Sequence, residues 1–270
     1  MDGIQWCRDR LLVPGHPLAA SLLFVPSPDR ERILSLKAVL AEISAIPESS
    51  GDDTVVRAKL AWWEDALTSG SEHPALLALA QSGAQERLNA SDLLAFLHEV
   101  VGRCQGGTRF ERYEELWAHC LALGGGAARL EASLISIHHG RYQDALESVG
   151  GAGYLFRVVR DMAVDARQNR WFAPLDLQAQ FQISRTEVAE SKVGSGWDGL
   201  VRTLIERGVR AGGDAVASLS PSHRHLAIAW AVDYRLAVHL MRRPRKILSR
   251  RLLPGHMGNV WAAWRAARRL

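Results

Sequence analysis

The chain has 270 residues, 47% hydrophobic and 23% charged, with a formal net charge of +4, a composition that suits one globular domain with a large core. Three scattered cysteines, Cys7, Cys104 and Cys120, exclude a disulfide framework and a CxxC zinc site and point to a reducing compartment. No apolar run reaches the roughly 18 residues of a membrane span, and residues 1–12 lack the pattern of a signal peptide, so the expected setting is soluble and cytoplasmic.

In chain order, residues 29–46 place Ile33, Leu36, Leu40 and Ile43 at three- and four-residue steps, one apolar helical stripe. Ser27-Pro28-Asp29 opens it and Pro47 stops it. Residues 48–53 read as a loop. Residues 55–68 form a second helix, 74–81 a third, and 89–101 a fourth capped by Asn89 or Ser91. Residues 110–136 are helical but carry Gly124-Gly125-Gly126, and each glycine costs a helix about 1 kcal/mol relative to alanine. Either the helix breaks there or a neighbour approaches its backbone closely. Residues 141–168 pose the same question at Gly150, Gly151 and Gly153. Further helices are predicted over 185–191, 197–211, 222–241 and 258–270. No period-two alternation or Asn-Gly hairpin signals a strand, and no fixed-period repeat occurs. The expected fold is all-α, eight or more helices around one core, as a single domain over 1–270.

The chemistry concentrates near residues 157–174. On a helix, Arg157, Asp161 and Asp165 stand four apart on one face. Two carboxylates one turn apart can hold Mg²⁺, a hard cation that takes oxygen ligands and keeps waters for a phosphate. Arg160 and Arg170 flank them and suit outer phosphate oxygens. The same spacing also serves a plain surface ion pair between Arg157 and Asp161. Elsewhere, His138-His139 and His223-x-His225 lack a carboxylate or cysteine at zinc-ligand spacing. The glycine triplet follows no strand and precedes no Lys-Ser/Thr, so it is not a nucleotide loop.

Charge is unevenly spread. From Arg235 onward there are ten Lys/Arg and no acid, against 23 bases and 29 acids in the first 234 residues. Arg242, Arg243, Arg245, Lys246, Arg250 and Arg251 stand among Leu248, Leu252 and Leu253. This pattern predicts reversible, peripheral attachment to an anionic membrane, such as an inner membrane face, or else a segment that packs on the bundle and pairs its arginines with the acidic N-terminal part. The segment lacks interleaved aromatics and helix-turn-helix spacing, which argues against nucleic acid.

The run Arg160-Asp161-xxx-Asp165-xxxx-Arg170-Trp171-Phe172-x-Pro174 resembles the second aspartate-rich motif of the squalene/phytoene synthase family. Leu23-Phe24-Val25-Pro26 with Arg32 resembles the entry to the family's first motif helix. Arg57-xx-Leu60-x-Trp62-Trp63, followed by His73-Pro74 and Leu77, resembles its R-x-x-L-x-W-W…HP segment. Tyr113-Glu-Glu-Leu116 leading into Gly124-Gly125 resembles the helix before the second motif. The resemblance implies an isoprenoid-synthase-like bundle with a central apolar cavity, and Mg²⁺-dependent head-to-head prenyl transfer from a prenyl diphosphate. It assigns Asp161 and Asp165 as catalytic metal ligands joined by Glu48. Arg157, Arg160 and Arg170 become diphosphate ligands, and His119 and Tyr154 pocket residues. Some positions depart from the pattern. Ser44 and Glu48 occupy the two aspartate positions of the first motif, and Ala41 stands for an arginine. Tyr154 and Arg157 stand where catalytic members carry Gln and Asn. The run from Lys37 to Ile43 instead resembles the respiratory complex I assembly factors of the same family. Two functions are therefore implied: a prenyl transferase, or a non-catalytic member that acts in assembly or binds a prenyl lipid.

Overall fold

A computed structural model describes residues 2–48, 52–106, 109–136 and 139–269. Among the described residues the regular structure is entirely helical. The first half comprises α1 (Gly3–Leu11), α2 (Pro17–Ser21), α3 (Ser27–Ala45), α4 (Asp53–Ser69), α5 (Pro74–Gln81), α6 (Ala90–Gly106), α7 (Tyr113–Cys120) and α8 (Gly126–Ile135). The second comprises α9 (Gln143–Arg167), α10 (Leu175–Phe181), α11 (Arg185–Ala189), α12 (Gly196–Val216), α13 (Arg224–Arg242) and α14 (His256–Arg269).

Two apolar cores organise these helices. One is built from α1, α3 to α6 and α8, around side chains such as Ile33, Leu36, Leu97 and Leu134. The other is built from α7 and α9 to α13, around Phe156, Met162, Trp197 and Leu204. Tyr154 of α9 packs against both, so the longest helix sits at their junction.

The glycines resolve as close crossings, not breaks. α7 and α8 are joined through a π-helical turn at Leu121–Gly125, and α9 runs unbroken for 25 residues. A Cβ on Gly124 would overlap the Gly150 carbonyl and the Tyr154 side chain, and one on Gly150 would overlap the Gly124 carbonyl and Ala128. Backbone meets backbone here, which only glycine on both helices permits.

Three helices escape the sequence pattern. α1, α2 and α10 span nine, five and seven residues. Local capping starts two of them: Asp2 accepts from the Ile4 and Gln5 amides, and His16 Nδ1 accepts from the Leu18 amide.

Part of the basic segment docks on the bundle. The Pro244–Leu248 turn packs on the bundle, with Ile247, Leu248 and Leu252 buried. Arg245 reaches Asp198 at 3.4 Å, and Arg251 is tied to Asp161. The apolar interior is also qualified, since Lys37 of α3 pairs with the buried Glu131 of α8. No helix of the described residues is long and apolar enough to cross a membrane.

Candidate functional site

Gly150, Tyr154, Arg157, Asp161 and Asp165 follow at three- and four-residue steps along α9, so they form one stripe. It starts at the glycine crossing, passes an aromatic group and ends in charge. In the aromatic group His119 of α7 meets Tyr154 edge-on at 5.8 Å between ring centroids, with Phe110 at 5.4 Å and Phe172 at 6.1 Å from His119. The two residues expected to share a pocket therefore stand together. Arg157 leans on the Tyr154 ring at 5.8 Å and reaches Asp233 of α13 at 3.5 Å.

Beyond Arg157 the stripe is governed by guanidinium groups. Arg160 donates to both oxygens of Asp161, at 2.8 and 2.5 Å, and Arg251 donates to the same two oxygens at 2.6 and 2.5 Å. Burial pushes the Asp161 carboxyl up, but the hydrogen bonds from Arg160 and Arg251 outweigh it and hold the pKa below the usual carboxylate value. One turn on, Arg170 donates from Nε and Nη2 to Asp165 Oδ1 at 3.1 and 2.5 Å. Asp165 lies in the last turn of α9, at the negative end of the helix dipole, where a carboxylate needs a cationic partner.

The spacing from Asp165 to Arg170 has a local cause. Asn169 adopts φ 62°, a left-handed conformation that asparagine tolerates. The Arg170 amide then bonds the Asp165 carbonyl at 2.8 Å, and the Asn169 amide bonds the Ala166 carbonyl at 3.2 Å. This is a Schellman closure, and it folds Arg170 back beside Asp165. Phe172 and Ala173 are then buried and Pro174 leads into α10.

The first-motif side does not mirror this arrangement. α3 ends at Ala45 and continues as a 3₁₀ turn over Ile46–Glu48, so Ser44 and position 48 fall in different elements. The side chain of Glu48, expected as a third metal ligand, lies outside the described residues. Glu42, six residues earlier, is engaged by Arg10 at 2.7 Å. Among the described residues no three His, Cys, Asp or Glu side chains converge on a possible cation position. Both oxygens of Asp161 already receive two guanidinium donors each. The donor set present therefore does not by itself make a resident Mg²⁺ centre.

Three participants were not legible locally. Arg251 stands 90 residues from Asp161, and Asp233 stands 76 from Arg157. His16 lies close enough to Arg157, Arg160 and Lys37 that they add to burial in lowering its pKa. Only the composition of the basic tail hinted at Arg251.

Comparison with known proteins decides the family. The squalene/phytoene synthase profile matches residues 14–254. The chain belongs to the squalene/phytoene synthase family. A relative in this family, phytoene synthase 2 of Solanum lycopersicum, is 26% identical over 138 residues, covering 47% of this chain and 44% of its own. The chain thus spans less than half the length of the curated relatives it matches. A dehydrosqualene synthase structure superposes with a TM-score of 0.84 at 14% identity, over 99% of this chain and 96% of its own. A squalene synthase from Alicyclobacillus acidocaldarius gives 0.73 at 18% identity, over 90% and 94%. At such identities the likeness is one of fold, and it agrees with the all-α isoprenoid-synthase-like bundle.

Proposed function

We propose that this family member binds a prenyl diphosphate through Arg157, Arg160, Arg170 and Arg251 and transfers its prenyl group in isoprenoid biosynthesis. The observation that carries this reading is the double guanidinium grip on Asp161, with a second arginine–carboxylate pair one turn away. A diphosphate offers more anionic oxygens than a carboxylate and competes for the same N–H donors. When its bond to C1 of the prenyl chain breaks, the electron pair leaves with the diphosphate. Charge then grows on oxygens that preplaced guanidinium groups stabilise. The allylic cation left behind needs shelter from water. The His119, Tyr154, Phe110 and Phe172 rings supply apolar walls there, and aromatic faces attract a cation.

Mg²⁺ is the cofactor that the family implies, and when bound it neutralises diphosphate charge. Because the carboxylates are already held by arginines, we propose that the apo protein binds Mg²⁺ weakly. Calorimetric titration of the apo protein with MgCl₂ checks this, and tight stoichiometric uptake of several ions would contradict it.

A second reading, that the protein binds a prenyl lipid without turnover, is favoured by the end of α3 before position 48. One experiment separates the two. Farnesyl thiodiphosphate binding is measured by calorimetry, and farnesyl diphosphate conversion by extraction of products, for the native chain and Arg251→Ala. Binding with turnover, both weakened at least tenfold by Arg251→Ala, supports the transferase. Binding alone supports the second reading. No binding overturns both.

A further inference from the structure

We infer that α14 is an interfacial anchor that docks this protein on an anionic lipid bilayer. The helix is fixed to the bundle by one narrow face. Asn259, Ala263 and Ala267 are buried, and the two alanines share a small core with Ala20, Ile228 and Val232. Its other side is defined by this packing. Met257, Trp261 and Trp264 follow at four- and three-residue steps and are 76%, 53% and 40% exposed. Leu253, just before the helix, is 56% exposed, and Leu23, in the Leu22–Phe24 turn that α14 touches, is 50% exposed. Scattered exposed apolar residues are ordinary, but a stripe of large ones on a packed helix marks a contact surface.

The cations identify the partner. Arg265 lies over the Trp261 ring at 4.6 Å and Arg268 over the Trp264 ring at 5.0 Å. Each pair presents an apolar ring rimmed by a cation, the chemistry of the headgroup level, where indoles settle and guanidinium groups meet phosphates. Among the described residues, the elements that α14 packs against hold one acid, and it is already paired. α2, the Leu22–Phe24 turn and α14 contain none, and the one acid of α13, Asp233, is engaged by Arg157. A second copy of this chain is disfavoured as occupant, because a two-fold contact would set Arg265, Arg268 and Arg269 against their own images. The anchor thus differs from the segment that composition suggested: at 242–253 the leucines other than Leu253 are buried, and the exposed apolar stripe lies one helix further on.

The inference does not depend on the diphosphate reading. The full chain is co-sedimented with phosphatidylcholine vesicles and with phosphatidylglycerol–phosphatidylcholine vesicles, at low and high salt. Native protein, a Trp261→Ala/Trp264→Ala variant, an Arg265→Glu/Arg268→Glu variant and the distant charge control Lys192→Glu are compared. All changes are at exposed positions, and helicity by circular dichroism verifies folding. The expected result is binding to the anionic vesicles that falls as salt rises. Each α14 variant should weaken it at least tenfold, at roughly fivefold per lost basic contact, and Lys192→Glu should leave it within twofold. Tryptophan quenching by lipids brominated on their chains should appear in the native protein and drop in the tryptophan variant. Equal binding to neutral vesicles, no binding at low salt, or α14 variants that bind like native would overturn the inference. A native dimer that the tryptophan variant dissociates would assign the surface to a second copy instead.

Discussion

At the residue scale, the buried His225 shows how the interior sets acid sensitivity. Burial, then the neighbouring His223 and Lys37, push its pKa down to about 3, and among the described residues its Nε2 has no hydrogen-bond partner. The unfolded chain takes up this proton near the ordinary histidine value of about 6.5, and the folded chain does so only near 3. Between those values the unfolded state binds more protons, so stability falls as pH drops through the window. One such group gives a slope of up to about 1.4 kcal/mol per pH unit. His16 is lowered in the same direction by burial, Arg157, Arg160 and Lys37. Asp161, whose pKa is depressed, keeps its contribution above the ordinary aspartate value of about 3.9 and loses it only as pH falls below that. Urea unfolding between pH 7 and 4 should show the decline, and His225→Leu should flatten it by the share of one histidine. An unchanged slope in that variant would move the effect to other groups.

At the element scale, the glycine crossing and the free helical glycines make opposite forecasts. Gly124→Ala puts a methyl group onto the Gly150 carbonyl and Tyr154, and neither can retreat without shifting α9. Overpacking of this kind costs about 1–3 kcal/mol, and here it also displaces the stripe that carries Arg157 and Asp161. Gly213 lies inside α12 with no atom within 4 Å of an added Cβ, so Gly213→Ala should stabilise by up to about 1 kcal/mol through helix propensity. Denaturant midpoints of the two variants should move in opposite directions. The same elements show what local patterns could convey. α3 was legible because an apolar period, a capping start at Ser27-Pro28-Asp29 and a stop at Pro47 coincide. The triplet at Gly124 announced its two alternatives but not the choice, because the deciding atoms, the Gly150 carbonyl and Tyr154 Cβ, belong to α9. α1, α2 and α10 were not read from the sequence, although α1 is longer than α5; two of them start on local caps, Asp2 and His16.

At the scale of the whole molecule, an acidic body is closed by a basic tail, and the two are fastened at Asp161 and at Asp198. The aspartates and Arg160 and Arg170 were legible because helical spacing and one Schellman turn bring them together. Arg251 was not, since a contact spanning 90 residues is set by how α13 and the following turn pack. Arg160 is nearly buried, whereas the Arg251 side chain is 56% exposed, so solvent screens part of the pair. Asp161→Asn keeps the shape but leaves two guanidinium groups beside Arg157 without their counter-charge. Breaking a fully buried pair costs about 3–5 kcal/mol. With one partner half exposed, we expect about 1–3 kcal/mol and a lower melting temperature in plain buffer. An anion that occupies the vacated position reverses this loss, because ligand bound only to the folded state stabilises it by mass action. Inorganic diphosphate should therefore raise the melting temperature of Asp161→Asn by more than that of the native chain, where Asp161 competes for the same donors. Sulfate at equal ionic strength should do so less. Equal shifts for the two proteins would mean that diphosphate does not bind between Arg160 and Arg251, and the head-group assignment would fall with that result.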